Sequence, residues 1–311
     1  MSEQHELVVI GAGPAGLTAA QYGARANLNV LVIEELAAGG QALFIDHLEN
    51  YPGIATPVSG FELADIMKQQ AETFGAKFMA ASVQNVVKRE GDFLIETSEG
   101  PIEAKAVIVA SGSKHRHLGV PGEEAFAAKG VSYCATCDGP FFKGKRIFVV
   151  GGGDTACDES MYLSKLTDQV VLVHRKDRFR AQKALASRVL SNPRIKVLFN
   201  TTVQEIKGTK TVESVVLKDV LTGQTREEPA DAVFVFVGAD PQTSMLNGVA
   251  KDEMGSIIVD DHMRTNIPGL FAAGDVRVSP FRQVVTACGD GAIAAHAASQ
   301  YLDEIQGHTY A

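Results

Sequence analysis

Leu7-Val8-Val9-Ile10-Gly11-Ala12-Gly13-Pro14-Ala15-Gly16 is a four-residue apolar run that enters a glycine-rich loop directly. Such a run suits a parallel strand buried on both faces, and the loop has the dinucleotide-binding spacing G-x-G-x-x-G. One loop of this kind is a weak signal, but the pattern returns at Ile147-Phe148-Val149-Val150-Gly151-Gly152-Gly153-Asp154-Thr155-Ala156. From Gly11 to Glu34, behind the next apolar run Val30-Leu31-Val32-Ile33, is 23 positions; from Gly151 to His174, behind Val170-Val171-Leu172-Val173, is again 23. The chain therefore repeats one βαβ unit. In each copy the first two glycines permit a tight turn and close approach of backbone to a pyrophosphate, and Gly16 or Ala156 lets the helix pack on the strand. The pyrophosphate then meets the positive end of a helix.

The copies differ where the adenosine ribose is met. Glu34 is an acceptor for a free 2′-hydroxyl and would repel a 2′-phosphate, whereas the second copy places His174-Arg175-Lys176 there, with Arg180 beyond. Arginine offers a fork of donors for charge-assisted bonds to phosphate. The first loop, Gly11, Gly13, Pro14, Ala15 and Gly16 with Glu34, reads as a site for FAD or NAD. The second, Gly151, Gly153, Asp154 and Thr155 with the basic cluster, reads as a site for NADP.

Between the loops stands Cys134-Ala135-Thr136-Cys137-Asp138. A C-x-x-C inside an α/β pattern reads as redox-active, and its place between two nucleotide sites predicts an electron relay. A zinc site completed by His115 and His117 would leave both loops unexplained, so no metal is expected. Asp138 is placed to act as general acid or base at a leaving thiolate, or else to cap a helix. Cys157 and Cys288 lie in helical patterns of small residues and read as buried packing thiols. His296 reads as surface or packing.

At 311 residues the chain has room for about two domains. Its composition, 45 % hydrophobic with 30 glycines, suits a well-cored α/β protein. A net charge of −8 argues against a nucleic-acid partner, and no run approaches the roughly 18 apolar residues of a membrane span. Met1 to Glu6 leads straight into the first strand without a signal-peptide pattern, so a soluble, cytoplasmic protein is expected.

The order of segments predicts one domain inserted in another. Gly39-Gly40-Gln41 and Glu49-Asn50-Tyr51-Pro52-Gly53 are turn-rich, Gly60 to Phe74 is helix-like, and Val83 to Val87, Phe93 to Thr97 and Ile102 to Lys105 form an antiparallel excursion before Ala106 to Ala110 returns to the sheet. Similar strands at Ile195 to Phe199, Val212 to Lys218 and Asp231 to Val237 follow the second loop. The tail, with a short strand ending in Gly274-Asp275 and a long helix from Gln283 to Tyr301, has no third loop and is expected to complete the first domain. The crossings near residues 113–119 and 238–245 are the expected hinges.

Taken together, Gly11 to Gly16, Gly39-Gly40-Gln41, Glu49 to Gly53, Cys134 to Asp138, Gly151 to Ala156, His174 to Arg180, and Gly274-Asp275 with Arg282-Gln283 resemble the bacterial low-molecular-weight thioredoxin reductases over nearly the whole chain. The resemblance implies two Rossmann-like domains of the three-layer ββα type. An FAD domain would span residues 1–116 and 245–311, using Gly40, Gln41, Asn50, Gly274, Asp275, Arg282 and Gln283 besides the first loop; an NADPH domain would span 117–244. It further implies a homodimer that reduces thioredoxin, with Cys137 against the flavin and Cys134 attacking the partner. Two departures stand out: Lys176 replaces a second arginine, and Gly139-Pro140-Phe141-Phe142-Lys143-Gly144-Lys145 is closer to the flavoprotein subunit of alkyl hydroperoxide reductase. The alternative is thus a flavoprotein feeding a peroxiredoxin or a glutaredoxin-like partner. Such proteins carry an additional N-terminal dithiol domain, which here would have to be a separate chain. A ferredoxin-NADP reductase would lack the dithiol, and a non-catalytic NADP sensor would lack the flavin.

Overall fold

The computed structural model describes residues 4–45 and 48–307. The chain opens with β1 (Gln4–Ile10), α1 (Pro14–Arg25) and β2 (Val30–Glu34). α2 (Gly60–Thr73) starts in a capping box, the Ser59 hydroxyl accepting from the Glu62 amide while the Glu62 carboxylate accepts from that of Ser59. β3 (Lys77–Ala80), β4 (Val83–Lys88), β5 (Phe93–Thr97) and β6 (Gly100–Val109) follow, and β7 (Ser113–His115) leads out. The next segment holds β8 (Val131–Ser132), α3 (Ala135–Asp138), β9 (Ile147–Gly151), α4 (Asp154–Leu166), β10 (Val170–Val173), α5 (Lys183–Ser191) and β11 (Ile195–Leu198). It continues through β12 (Thr201–Gly208), β13 (Val212–Asp219), β14 (Thr225–Pro229) and β15 (Ala232–Phe236). The return strand β16 (Ala239–Pro241) pairs with β7, and β17 (Leu270–Ala272) and α6 (Val284–Ile305) end the fold. Two compact units result, residues 1–114 with 240–311, and residues 115–239.

In the first unit a parallel sheet runs β3-β2-β1-β6-β17. Successive side chains on a strand point to opposite faces. Leu7, Val9, Val30 and Val32 therefore meet Leu63, Met67, Ala294 and Leu302 of α2 and α6, while Val8, Ile10, Leu31 and Ile33 meet Val86, Phe93, Ile95 and Ile102. Helices, sheet and β-meander make three layers. The last strand of the excursion, Ile102 to Lys105, and the return strand from Ala106, expected as two elements, are one: β6 pairs antiparallel with β5 through Ala104 and parallel with β1 from Glu103. Its alternating apolar residues continue without a turn, so a single strand serves both layers.

The second unit repeats the plan with the sheet β11-β10-β9-β15-β8 and a separate antiparallel β12-β13-β14. Ile147, Val149, Leu172 and Phe234 pack against Leu163 and Val189 of α4 and α5; Phe148, Val150, Val171 and Val233 pack against Val203, Ile206, Val215 and Leu217. β14 reads Thr-Arg-Glu-Glu-Pro and is exposed along much of its length. Its sequence carries no strand signal, and its ladder to β13 holds it. Among the described residues no helix is long and apolar enough to cross a membrane.

Candidate active site

In both units the glycine loop lies at the carboxyl end of the central strand, where open α/β sheets bind their ligands. The first loop can be built only from glycine at two places. Gly11 sits at φ +99°, and a Cβ on Gly16 would fall 1.8 Å from the Gly11 carbonyl oxygen. α1 begins at Gly13 without a side-chain cap, which leaves its first amides free for an anion. Gly13 faces Gly40, whose own Cβ would lie 3.1 Å from the Gly13 Cα, so two glycines wall the cleft. Glu34 is held by the amides of Ala12 (2.7 Å) and Leu36 (3.1 Å), one to each carboxylate oxygen. Each oxygen keeps a lone pair for a ribose hydroxyl.

Other residues expected around this cleft converge from far along the chain. The Asn50 amide donates to Gln283 Oε1 at 2.9 Å, Gln41 donates to the Ser113 carbonyl, and Gln283 caps α6. Arg282 reaches Ser256 at 3.5 Å. Asp275 follows Gly274 in a short 3-10 turn, and burial pushes its carboxyl above the usual range against the opposing pull of Arg282. An uncapped helix, a glycine-walled cleft and polar groups gathered at the sheet's carboxyl edge fit a dinucleotide such as FAD.

The second loop has the same open helix end, with Gly153 uncapped and no atom within 4 Å of the place its Cβ would occupy. Thr155 is exposed beside it. Arg175, Lys176 and Arg180 are exposed and form no ion pair among the described residues. His174 points the other way. It is 6 % exposed, its ring fills the space over Gly152, and its Nε2 has no hydrogen-bond partner among the described residues. Burial holds its pKa below the ordinary histidine value, Arg180 and Arg175 adding to the effect. Both carboxylate oxygens of Asp154 are taken by Gln182.

Cys134 and Cys137 are joined as a disulfide with Cα atoms 5.4 Å apart. Cys134 is the N-cap of α3, its sulfur accepting from the Cys137 amide at 3.2 Å and lying 3.4 Å from the Thr136 hydroxyl. Donors of this kind stabilise a thiolate once the bond is opened. Cys137 is exposed and Cys134 half-buried. The half-buried Asp138 ends α3 and makes no side-chain cap, which removes the capping reading. Cys157 and Cys288 are free and buried, and burial pushes the Cys157 thiol up to about 12.

A family model described as pyridine nucleotide-disulphide oxidoreductase matches residues 5–291. The chain belongs to that family. It is 56 % identical over 306 residues to the thioredoxin reductase of Treponema pallidum, covering 98 % of this chain and 100 % of that one. The thioredoxin reductase of Peptoclostridium acidaminophilum is 44 % identical, covering 97 % and 98 %. Among solved structures, the Lactococcus lactis thioredoxin reductase in its FR conformation superposes with a TM-score of 0.94 at 42 % identity, covering 96 % of this chain and 99 % of that one. The Streptococcus pyogenes thioredoxin reductase has 44 % identity and a TM-score of 0.65, covering 98 % and 100 %.

Two polar clusters of this oxidoreductase escape a reading of the sequence. Glu123, 3 % exposed, accepts from the amides of Leu118 (2.8 Å) and Gly119 (2.7 Å) and from the Tyr133 hydroxyl (2.8 Å), tying the start of its unit to the residue before Cys134. Asp290, the one carboxylate in the small-residue stretch Ala287 to Ala292, accepts from Arg277 Nε (2.7 Å), from its Nη2, and from the Gly274 amide (3.1 Å). It thereby fixes the turn that presents Asp275. Truncating one partner of a fully buried pair costs about 3–5 kcal/mol. Arg277 keeps the Val278 carbonyl and some solvent, so Asp290→Ala is expected to cost about 2–3 kcal/mol in chemical denaturation. A loss under about 0.5 kcal/mol would show that the pair contributes little.

Proposed function

We propose that the chain is an NADPH-dependent thioredoxin-disulfide reductase, with FAD held by residues 1–116 and 245–311 and NADPH by residues 117–244. The observation that carries the reading is the Cys134–Cys137 disulfide, borne on the same unit as the second glycine loop and its exposed basic cluster. The activity named for the relatives supports it. FAD, when bound, takes a hydride from NADPH and passes two electrons to the disulfide.

The chain's own groups do the rest. Gly11, Gly13, Pro14, Ala15 and Gly16 admit the FAD pyrophosphate to the start of α1, Glu34 accepts from its ribose, and Gly40, Gln41, Asn50, Gly274, Asp275, Arg282 and Gln283 line the cleft. Gly151, Gly153 and Thr155 receive the NADPH pyrophosphate, Arg175, Lys176 and Arg180 its 2′-phosphate, and His174 supports the loop from beneath. Opening the disulfide yields two thiols, and Asp138 takes the proton of Cys134. The Cys134 thiolate, held by the Cys137 amide, attacks the disulfide of thioredoxin; one partner thiolate leaves and takes a proton from Asp138. Cys137 then attacks the mixed bond, releasing the second partner thiol and restoring the Cys134–Cys137 bond. Phe141, 80 % exposed and four positions past Cys137, gives the dithiol an apolar rim for that partner.

Nicotinamide and disulfide must each reach one flavin, and they cannot share its face. The unit carrying both therefore rotates about the crossings at 113–119 and 238–245. A fluorophore on each unit should report a distance change on anaerobic addition of NADPH, and none if the units are fixed.

The protein is further read as a cytoplasmic homodimer. Tyr22 on α1, Phe61 and Ile66 on α2 and Ile293 on α6 leave apolar surface on the helical layer of the first unit; sedimentation at twice the 33.1 kDa chain mass checks this. The decisive experiment is anaerobic. NADPH, and NADH much less, should bleach the flavin, and oxidised thioredoxin should restore the colour. Restoration by a peroxiredoxin-linked partner but not by thioredoxin would favour the hydroperoxide-reductase alternative.

A further inference from the structure

Asp154 occupies an unexpected place. A carboxylate in the first turn of a glycine-loop helix favours the helix through its dipole, yet it repels the pyrophosphate that the same end attracts. Its two oxygens are committed elsewhere: one accepts the Gln182 backbone amide at 2.7 Å, the other the Gln182 side-chain amide at 3.2 Å. Two residues earlier, the Arg180 amide donates to the Gly152 carbonyl at 2.7 Å. At the other end of the segment, Asn200 donates to the Lys176 carbonyl at 3.1 Å. Beneath it the His174 ring fills the space over Gly152, with Phe179 at 5.9 Å from His174 and 4.9 Å from Phe199, centroid to centroid. Residues 174–182 have no helix or strand of their own. Their shape comes from these ties together with the His174 amide donating to the Leu198 carbonyl at 2.9 Å and the Thr201 amide donating to the His174 carbonyl at 3.0 Å.

We propose that Asp154 and Gln182 form a latch that holds the basic loop against the glycine loop and so sets the preference for the 2′-phosphate of the nucleotide. Both are positioning residues. The latch keeps the backbone of Arg180 in register with the pyrophosphate site, so that the distance from 5′-phosphate to 2′-phosphate is matched before the nucleotide arrives and less ordering remains for binding. The inference rests on the NADPH reading above, and it predicts a property that a helix-stabilising carboxylate would not have. Loss of Asp154 should change discrimination between ligands rather than affinity for phosphate in general.

The test uses the FAD-loaded protein and two fragments, 2′,5′-ADP and 5′-AMP, titrated calorimetrically. Wild type should bind 2′,5′-ADP more tightly. Asp154→Ala should narrow the ratio of the two Kd values about tenfold; removal of its charge acts alike on the 5′-phosphate of both fragments and cancels in the ratio. Asp154→Asn, which keeps an acceptor for the Gln182 amide, should retain the ratio within about twofold. Gln182→Pro supplies an independent variant should Asp154→Ala fail to fold. Gln182 already sits at φ −52°, which proline adopts, and the change deletes both donors; the ratio should narrow as for Asp154→Ala. Wild type without preference for 2′,5′-ADP would overturn the NADP reading and the latch with it. A wild-type preference that survives both Asp154→Ala and Gln182→Pro would overturn the latch alone.

Discussion

Cys134→Ser and Cys137→Ser are each expected to reduce thioredoxin turnover to background while NADPH still bleaches the bound flavin at a rate within about twofold of wild type. Hydride transfer needs no sulfur, but opening and re-forming a disulfide needs two. The variants should differ in what they trap. With Cys137→Ser, the Cys134 thiolate keeps the neighbouring amide as donor and attacks the partner, but no second sulfur resolves the mixed bond, so a covalent one-to-one complex should build up on a non-reducing gel. Cys134→Ser should trap far less, because Cys137 lacks that donor. Equal trapping by both variants would reverse or erase the assignment of roles, and unimpaired turnover in either would end the relay altogether.

Removing Arg175 and Arg180 together should raise the KM for NADPH sharply and leave that for NADH nearly unchanged. Each charge-assisted contact to a phosphate is worth about 1.5–3 kcal/mol, so two give about 3–6 kcal/mol. Both side chains are exposed and screened by salt, so the lower end governs, on the order of a hundredfold in KM. Lys176 remains as a point charge and limits the loss. Steady-state kinetics with both nucleotides decide the matter, and equal losses for NADPH and NADH would assign the cluster another role. The latch variants alter the same selectivity without removing a cation, so comparing the two sets separates charge from placement.

Much of the framework is legible because its signals are local. An apolar run of four residues, a glycine spacing and the switch from strand to helix all lie within about thirty residues, and the repeat of the whole pattern at an equal interval excludes chance. The short polar strands are illegible for the opposite reason: β14 contains no apolar alternation, and only its pairing with β13 makes it a strand. His174 shows the limit within a motif. Its place next to Arg175 and Lys176 suggests a ligand-facing group, yet successive residues at the end of a strand point to opposite sides, and the side available to His174 is the space over Gly152.

By itself the sequence determined the two βαβ units, the position of each glycine loop at the end of a buried strand, the dithiol between them and the contrast of Glu34 with the basic cluster. These follow from backbone sterics and hydrophobic periodicity, which act over short spans of chain. Only the tertiary structure decided that Asn50 meets Gln283, that Asp290 holds both Arg277 and the Gly274 amide, and that Asp154 is committed to Gln182. Such contacts join residues brought together by packing helices onto sheets. Each depends on the crossing of whole elements, as where a Cβ on Gly291 of α6 would fall 2.1 Å from the Ala15 carbonyl oxygen of α1, and no local pattern encodes that crossing.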